Sequence, residues 1–492
     1  MAATGDVIVG IDFGTTTSAI GFVRDGIPFL FRVEEHETIL PSVVAFNKAG
    51  EPFVGSAAKK QAVLNPEKTF ASVKRRLGEK ESVTIAGKDW SLEAMGAQIL
   101  IALKSAAEKE LGRKVTNAVI TVPAYFNQMQ REAVQEIGRL AGLNVVRIIN
   151  EPTAAAMAYG INELEEQNVM VFDFGGGTFD VSVLTIADGV FEVKASGGDN
   201  MLGGDDIDRM IIDKVAGDFF ADHHIDLAKD RMAMQKLKDE AEKLKVLLST
   251  QDSARLHIPF ITADQHGPIH IDKTFTSAGF EEIISGIVGK IIRLAKDTLK
   301  KSGLDNKDLD KILLAGGSTR IPAVRDAITR SFGDKVVGGV NPIECVALGA
   351  AVQAAILSGS LANKVLLDVT PFTLGLEIDG GTMEEIIPAN TTIPAGQKKI
   401  FSTVADNQTE VEIKILQGNS NRASENAMLG KFILGNIEMA KKGEPKIEVE
   451  FDINVDGIMS VSARDAKTSS TRSIRIEKGV LKRRDKPLFL SD

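Results

Sequence analysis

Two short segments rich in glycine and threonine carry the residues best suited to chemistry. Residues 10–17 and 171–178 each place an aspartate, Asp12 or Asp173, two positions before a glycine that begins a run of glycines or threonines. Glycines let backbone N–H groups approach a phosphate, and threonine hydroxyls add donors without negative charge. An aspartate facing phosphates requires a cation between them, and Mg²⁺ is usually held by one or two carboxylates plus phosphates. The pair predicts a phosphate site containing Mg²⁺.

Each of these segments lies between two predicted strands. Residues 19–23 follow the first segment and residues 180–184 follow the second, and both runs are typical of buried strands. Each segment is therefore expected to form the tip of a β-hairpin, unlike a P-loop, which opens a helix. Two similar hairpins predict a duplicated fold with the tips facing across a cleft. The alternative is a pair of tight glycine turns in which the aspartates are caps.

A third glycine turn occupies residues 314–322. It follows a predicted strand at 311–314, and Pro322 lies where a helix would begin. A helix N-terminus can hold a phosphate or ribose, and Arg320 can lie against an adenine ring. Together with the two hairpin tips, this turn indicates a nucleotide.

The elements around these turns predict an α/β domain followed by a β domain. Helical periodicity covers 92–111, 128–141, 205–221, 230–249 and 277–302, alternating with short apolar runs. From residue 369 to 477 the pattern has period two, interrupted by turn residues, which predicts about eight strands in an antiparallel sandwich or barrel. We predict a nucleotide-binding domain over 1–362, a linker over 363–368, a β-sandwich over 369–478 and an atypical tail over 479–492.

The linker is apolar rather than rich in glycine and serine. Because an exposed Val365-Leu366-Leu367 sequence is costly, we expect it to dock in at least one state. The alternative is that it forms the first strand of the second domain.

Composition excludes several classes of function. The 492 residues carry a net charge of −9, which argues against a dominant nucleic-acid or membrane-surface role. The single cysteine, Cys345, excludes an intramolecular disulfide and a cysteine-rich metal site. The first residues do not resemble a signal peptide, and the most apolar helical stretch, 345–357, is too short to span a bilayer. We expect a cytoplasmic protein.

Ordered motifs along the chain resemble one family, the seventy-kilodalton heat-shock chaperones, and are nearest the bacterial DnaK type. The resemblance covers residues 6 to about 478. The matching segments are 12–16, 122–126, 149–156, 173–180, 202–206, 316–320, 366–371 and 390–394.

This resemblance implies an actin-like ATPase domain made of duplicated, ribonuclease-H-like halves, followed by an antiparallel β-sandwich that holds extended apolar peptides. ATP hydrolysis to ADP and phosphate would control peptide affinity through the linker. The implied cofactors are ATP or ADP and Mg²⁺, with K⁺ as an additional candidate. The implied partners are unfolded polypeptides, a J-domain co-chaperone and a nucleotide exchange factor, with neither nucleic acid nor membrane.

The resemblance also assigns roles to residues of the ATP site. Asp12 and Asp173 would order hydrated Mg²⁺, and Lys74 would face the γ-phosphate; from its residue type alone, Lys74 could equally be a solvated helix charge. The remaining implied catalytic residues are Glu151, Thr178 and Asp180. The residues implied to bind phosphates and adenosine are Gly14, Thr15, Thr16, Thr17, Gly175, Gly176, Gly177, Glu242, Lys245, Ser249, Gly316, Gly317, Ser318 and Arg320.

A second implied set belongs to peptide binding and coupling. The groove residues would be Leu376, Ile378, Phe401, Val404, Val411 and Ile413. Alternate faces of a strand separate core from groove, so some of these are sandwich core instead. The coupling residues would be Pro123, Arg131, Leu366, Leu367 and Asp368.

The chain departs from the family pattern at several places. Ile343 replaces a usual aspartate near the nucleotide, and Asp379 replaces an apolar residue beside the groove. Segment 78–92 is short, and the sequence stops at Asp492 without the family's helical lid, so we expect a truncated chain or a lidless relative.

Residues 482–492 combine basic charge with an apolar triplet. Two interpretations stay open for them: a pseudo-substrate, which would allow self-association, or a disordered remnant.

Two other functions remain as alternatives. An actin-like small-molecule kinase would need a carboxylate base on its substrate side, and a filament protein would need no catalysis. Neither alternative explains the β-sandwich or the apolar linker.

Overall fold

The computed structural model describes residues 7–160, 165–339, 341–361, 364–467 and 471–475. The chain divides into two compact units. The first contains Met1–Phe126 and Val134–Asp368, and the second contains Asn127–Ala133 and Val369–Asp492. The tail at 479–492 and the predicted domain limits at 362–363 and 478 lie outside the described residues, so those interpretations stay predictions.

The first unit alternates strands with helices. Its strands are β1 (Ile8–Phe13), β2 (Thr17–Arg24), β3 (Ile27–Leu30), β4 (Leu40–Pro41), β5 (Val43–Phe46), β6 (Pro52–Val54), β7 (Thr69–Ala71), β8 (Ser82–Ile85), β9 (Lys88–Ser91), β10 (Asn117–Val122), β11 (Asn144–Asn150), β12 (Gln167–Phe174), β13 (Phe179–Ala187), β14 (Val190–Asp199), β15 (Ser253–Asp264), β16 (Gly267–Thr276), β17 (Lys311–Ala315) and β18 (Val365–Val369). Its helices are α1 (Ser56–Gln61), α2 (Leu92–Leu111), α3 (Gln128–Leu140), α4 (Glu151–Gly160), α5 (Gly204–His223), α6 (Arg231–Leu248), α7 (Ser277–Lys301), α8 (Pro322–Phe332) and α9 (Cys345–Leu357). The first turns of α3 group with the second unit.

Two large sheets of the first unit repeat one arrangement. In the first, β1 pairs in parallel with β10 and antiparallel with β2, which continues to β3. In the second, β12 pairs in parallel with β17 and antiparallel with β13, which continues to β14. Each glycine- and threonine-rich segment therefore lies at the tip of a hairpin. Both predicted hairpins are present, and the sheets around them have the same strand arrangement.

The helices lie close to their predicted positions, with the largest difference two residues. The five predicted helical segments correspond to α2, α3, α5, α6 and α7. Amphipathic spacing and caps explain the agreement: Ser91 caps α2 by accepting from Ala94 N, and Asp230 caps α6. None of the helices that the structure describes is both long and apolar enough to cross a membrane.

The helices α4 and α9 pack closely because small residues face each other. At Gly349 of α9, an added Cβ would overlap the carbonyl oxygen of Ala154 in α4. At Gly10 of β1, an added Cβ would overlap the backbone of Ala351. Glycine at these places is required by the approach of two backbones rather than by a turn.

We predict that Gly349→Ala destabilises the first unit by about 1–3 kcal/mol or more, because a methyl group there must displace backbone. The matched control is Gly217→Ala, also within a helix, where nothing lies within 4 Å of an added Cβ. That control should stabilise by about 0.5–1 kcal/mol. Trp90, the only tryptophan of the sequence, is buried in the first unit and reports urea unfolding. Equal midpoints for both variants would contradict the packing described here.

The second unit contains nine strands among its described residues, against about eight predicted. They are β19 (Leu374–Ile378), β20 (Thr382–Ile387), β21 (Thr392–Ile393), β22 (Ala395–Phe401), β23 (Val411–Gln417), β24 (Ala427–Leu434), β25 (Ile447–Ile453), β26 (Met459–Asp465) and β27 (Thr471–Arg475). Two four-stranded antiparallel sheets, in the orders β20-β19-β23-β24 and β22-β25-β26-β27, contribute residues to one apolar core. Their alternating burial, with polar residues outward, matches the period-two pattern of the sequence.

The predicted linker forms part of β18. Residues 365–367 pair in parallel with residues 190–192 of β14, so they extend a sheet of the first unit. Leu366 and Leu367 are half-buried, whereas Val365 remains 51% exposed. In this structure the apolar segment is therefore docked, as the cost of exposing it led us to expect.

Candidate functional site

The two hairpin tips face each other in the first unit. An added Cβ on Gly176 would overlap the side chain of Thr16, and one on Gly177 would overlap that of Thr15. The third glycine turn joins them, because Ser318 Oγ donates to the carbonyl oxygen of Gly175 at 2.9 Å. The three turns that sequence reasoning selected separately are therefore brought together.

Neighbouring groups hold the backbone of both tips. Ser42 Oγ donates to Gly14 O at 2.9 Å, and the backbone N–H of Ser42 donates to Thr16 O at 2.8 Å. On the other tip, Gly175 O and Gly176 O accept from the N–H groups of Gly204 and Asp205 at 3.0 and 2.7 Å. These carbonyl oxygens are thus engaged by the protein. Sequence reasoning missed Ser42, which lies in no recognisable motif.

Four carboxylates and one lysine meet beneath the tips. Desolvation by burial, followed by the charge of Glu151, raises the pKa of Asp12 from 3.8 to about 7, against the opposing effects of Lys74 and of a hydrogen bond from Thr121. That bond joins Thr121 Oγ1 to Asp12 Oδ1 at 2.9 Å. Burial, followed by the charges of Glu151, Asp180 and Asp12, raises the pKa of Asp173 well above its usual range. Such a cluster is stabilised by an added cation.

The residues present fit a hydrated Mg²⁺. Burial and neighbouring carboxylates raise the pKa of both Asp12 and Asp173, and a divalent cation beside the two would offset that cost of ionisation. No group of three or more His, Cys, Asp and Glu side chains is arranged to hold a metal directly within the described part of the chain. Mg²⁺ often retains several waters, so a pair of carboxylates plus phosphates is sufficient.

Lys74 is buried rather than solvated. It belongs to a short 3-10 helix, Val73–Arg76, and is 2% exposed. Its Nζ forms an ion pair with Glu151 and lies 5.6 Å from the ring centroids of both Phe13 and Phe126. A lysine that has lost its water in this way has a functional or structural reason to be charged there. The interpretation of Lys74 as a surface charge is wrong.

The predicted adenosine residues share one end of α6. Lys245 Nζ donates to Asp208 Oδ2 at 2.7 Å and to Gly204 O at 3.2 Å, which joins α6 to the start of α5. Ser249 ends the helix, and its Oγ donates to Lys245 O at 2.9 Å. Glu242 accepts from Lys59 Nζ at 2.7 Å. The three residues lie on or at the end of one helix, and their role in binding adenosine stays a prediction. The partners Lys59 and Asp208 were not foreseen because they come from other elements.

Arg320 lies at the exposed end of the third turn. The turn forms a 3-10 helix, Gly317–Arg320, immediately before α8. Arg320 Nη2 donates to Asn341 Oδ1 at 2.8 Å, and Gly316 N donates to Pro342 O at 2.7 Å. Asn341 and Pro342, which accept these two hydrogen bonds, lie beside Ile343, the position that departs from the family pattern.

We predict a pH-dependent cost of ionising Asp208. Burial raises its pKa from 3.8 to about 6, against the opposing effect of Lys245, so the folded state binds the proton more tightly than the unfolded state. Stability contributed by this group therefore falls as pH rises from about 4 to about 6, by at most about 3 kcal/mol. In Asp208→Asn the free energy of unfolding lacks this dependence on pH. Losing the ion pair with Lys245 changes that free energy by the same amount at every pH in this range. Urea unfolding of both proteins at several pH values gives the free energy of unfolding as a function of pH. The two plots against pH should converge or cross, and parallel plots would contradict the prediction.

The predicted peptide-groove residues divide between core and surface. Leu376 and Ile413 are buried in the core of the second unit, and Phe401 and Val411 pack partly buried against it. Ile378 is half-buried. Val404 is 54% exposed. Partly exposed apolar side chains are suited to contact a peptide, whereas the two fully buried ones contribute mainly to stability.

Three of the predicted coupling residues, Asp368, Pro123 and Arg131, make hydrogen bonds within their own units. In the first unit, Asp368 is buried and its Oδ2 accepts from Asn150 Nδ2 at 2.9 Å and from Thr153 Oγ1 at 3.3 Å. Pro123 is buried, and its carbonyl oxygen accepts from Phe126 N at 3.1 Å. Within the second unit, Arg131 Nη1 donates to the carbonyl oxygen of Asp456 at 3.4 Å.

The facing glycine turns, the acidic cluster and the buried lysine have the backbone donors and the charges that phosphate groups and a cation require. A family model described as Hsp70 protein matches residues 8–486. The chain therefore belongs to the Hsp70 family. Members are ATPases and ATP-dependent chaperones, which bind ATP or ADP with Mg²⁺, unfolded polypeptides and co-chaperones.

Proposed function

We propose that this chain is a chaperone of the bacterial DnaK type, in which ATP binding and hydrolysis control affinity for extended apolar segments of unfolded proteins. The first unit would be the actin-like ATPase domain with two ribonuclease-H-like halves, and the second the peptide-binding β-sandwich. The observation that carries the proposal is the pair of facing hairpin tips above Lys74, Glu151, Asp12 and Asp173. The repeated sheet order and the antiparallel second unit support it.

The proposed roles in hydrolysis follow from charge and position. Lys74 would stabilise negative charge that develops on the γ-phosphate, because a buried ammonium acts strongly in a site of low dielectric constant. Glu151, Thr178 and Asp180 would orient the attacking water; Asp180 Oδ1 is itself oriented by the Tyr125 N–H at 3.0 Å. Mg²⁺, when bound, neutralises phosphate charge. No strong general base is needed, since phosphoryl transfer depends mostly on positioning and electrostatics.

The proposed nucleotide contacts use the three glycine turns and α6. The first tip (Gly14, Thr15, Thr16 and Thr17) and the second (Gly175, Gly176 and Gly177) would hold the β- and γ-phosphates. Glu242, Lys245 and Ser249 would contact the adenosine, with Gly316, Gly317, Ser318 and Arg320 on its other side. The Lys245–Asp208 pair already fixes the lysine at the start of α5.

Coupling would run through the strand at 365–367. Only three residues pair with the first-unit sheet, and Val365 remains 51% exposed, so the docked segment is short and only partly buried. Such an element can be docked in one nucleotide state and released in another, provided that the nucleotide has different affinities for the two states. Asp368 and the buried Pro123 would contribute on the first unit, and Arg131 on the second.

An ATPase measurement separates this function from its alternatives. Stimulation of ATP turnover by an extended apolar peptide would support the chaperone. Phosphorylation of a sugar or acid would identify a small-molecule kinase, and filament growth without peptide stimulation would identify a filament protein. We further propose a cytoplasmic location, with a J-domain co-chaperone and a nucleotide exchange factor as partners.

A further inference from the structure

Two residues on either side of Lys74, Ser72 two positions before it and Arg75 directly after it, make side-chain contacts with the start of α5. Ser72 Oγ donates to Asp205 Oδ2 at 2.7 Å, and Arg75 Nη2 donates to Asp206 Oδ2 at 2.7 Å. The Lys74 backbone lies between these two contacts. We call the pair of contacts, Ser72–Asp205 and Arg75–Asp206, the lysine clasp.

Both Ser72 and Arg75 depend on their contacts in the lysine clasp. Ser72 has φ = 53°, a left-handed conformation that is unfavourable for a residue with a side chain, and its hydroxyl contact with Asp205 helps to hold it. The Arg75 side chain is largely buried, and its Nε lacks a hydrogen-bond partner among the described residues, so Asp206 supplies its acceptor and its countercharge. A largely buried guanidinium depends strongly on such a partner.

The other end of the clasp is attached to the second glycine tip. The Asp205 N–H donates to Gly176 O at 2.7 Å, and the preceding N–H, of Gly204, donates to Gly175 O at 3.0 Å. Asp206 also accepts from Gly203 N at 2.7 Å, which fixes the first turn of α5. Hydrogen bonds and the first turn of α5 thus connect the tip that would hold the γ-phosphate to the side chains of Ser72 and Arg75, on either side of Lys74.

We propose that the lysine clasp sets the position of the Lys74 ammonium relative to the phosphate-binding tip, so that Arg75 and Asp206 are positioning residues for ATP hydrolysis. The inference rests on the proposed ATPase function of this site. A long, flexible lysine is effective only where its backbone is fixed, and a displacement of about 1 Å in an active site can lower the rate roughly a hundredfold. The clasp supplies that fixation on both sides of Lys74.

The test is single-turnover hydrolysis of pre-bound ATP by Arg75→Gln. The rate should fall roughly 10- to 100-fold, while ATP affinity and the urea midpoint reported by Trp90 stay near those of the parent. Arg75→Lys, which can still donate to Asp206, should recover most of the rate. Asp206→Asn, which keeps an acceptor for Gly203 N, should cause a similar loss, and the double variant should lose little more than either single one.

The matched control is Arg76→Gln. Arg76 lies in the same short helix, but it pairs with Glu81 at the surface, so its loss should leave the rate unchanged. A normal single-turnover rate in Arg75→Gln, or an effect confined to faster nucleotide release, would overturn the positioning role. If the parent itself does not hydrolyse ATP, the proposed function fails instead, which keeps the two failures distinct.

Discussion

Replacing Lys74 with alanine is expected to remove most ATP hydrolysis while ATP binding persists. The ammonium is buried against Glu151 and beside two aromatic rings, where water cannot substitute for it. Losing one such electrostatic contact should raise the barrier by about 3–4 kcal/mol, which is roughly a hundred- to a thousandfold in rate. Binding persists because the glycine turns and α6 provide most of the proposed contacts.

The measurement is a single turnover of ATP bound in advance, so that binding and chemistry are separated. Because the substitution leaves the Glu151 carboxylate buried without Lys74, the urea midpoint of the variant must be recorded alongside. Arg76→Ala is the control, since it removes a cation from the same short helix at the surface. Near-normal hydrolysis by a folded Lys74→Ala protein would exclude this residue from the mechanism.

Asp368→Ala is expected to abolish stimulation of the ATPase by peptide while basal hydrolysis stays nearly normal. The carboxylate accepts hydrogen bonds from Asn150 and Thr153, directly after the docked residues 365–367. Without it, two buried donors lose an acceptor, and the strand loses its attachment in the docked state. Asp368 is not one of the residues proposed to hold the phosphates or to act in hydrolysis, so basal chemistry should continue.

The readout is steady-state ATP turnover with increasing amounts of an extended apolar peptide. Asp326→Ala, which removes an exposed aspartate from α8, is the matched control and should be stimulated like the parent. Equal stimulation of Asp368→Ala and the parent would refute the coupling role of this residue.

Much of the fold follows from local pattern. The repeated aspartate–glycine segments predict two hairpins because each lies between apolar runs of strand length, and the sheets repeat as expected. The helix ends agree because capping residues such as Ser91 are local signals. In the second unit, period-two alternation predicts antiparallel strands with one buried face, which the burial of β25 and β26 reproduces.

Other features depend on contacts between distant segments and could not be derived locally. Lys74 stands among consecutive basic residues that are typical of a solvated helix; its burial comes from Phe13 and Phe126, far away in sequence. Only the resemblance to a family selected it. Ser42 and Thr121 are ordinary polar residues whose roles appear once the strands bring them to Gly14 and Asp12.

The linker illustrates the same limit. Its apolar sequence predicts that it docks, because exposure of three apolar side chains is unfavourable. The partner, β14, and the parallel direction are set by the edge that the first-unit sheet offers. A run of three residues contains no information about that edge.

The central claim is that the nucleotide state controls peptide affinity, and peptide release tests it most directly. A fluorescent extended apolar peptide is bound to the nucleotide-free protein and then mixed with Mg²⁺ and either ATP or ADP. ATP should accelerate release roughly tenfold or more relative to ADP, in the range of ordinary coupling energies between sites. Lys74→Ala should release peptide as the parent does, because ATP binding alone is sufficient, whereas Asp368→Ala should not respond. Identical release rates of the parent protein with ATP, with ADP and without nucleotide would contradict the account.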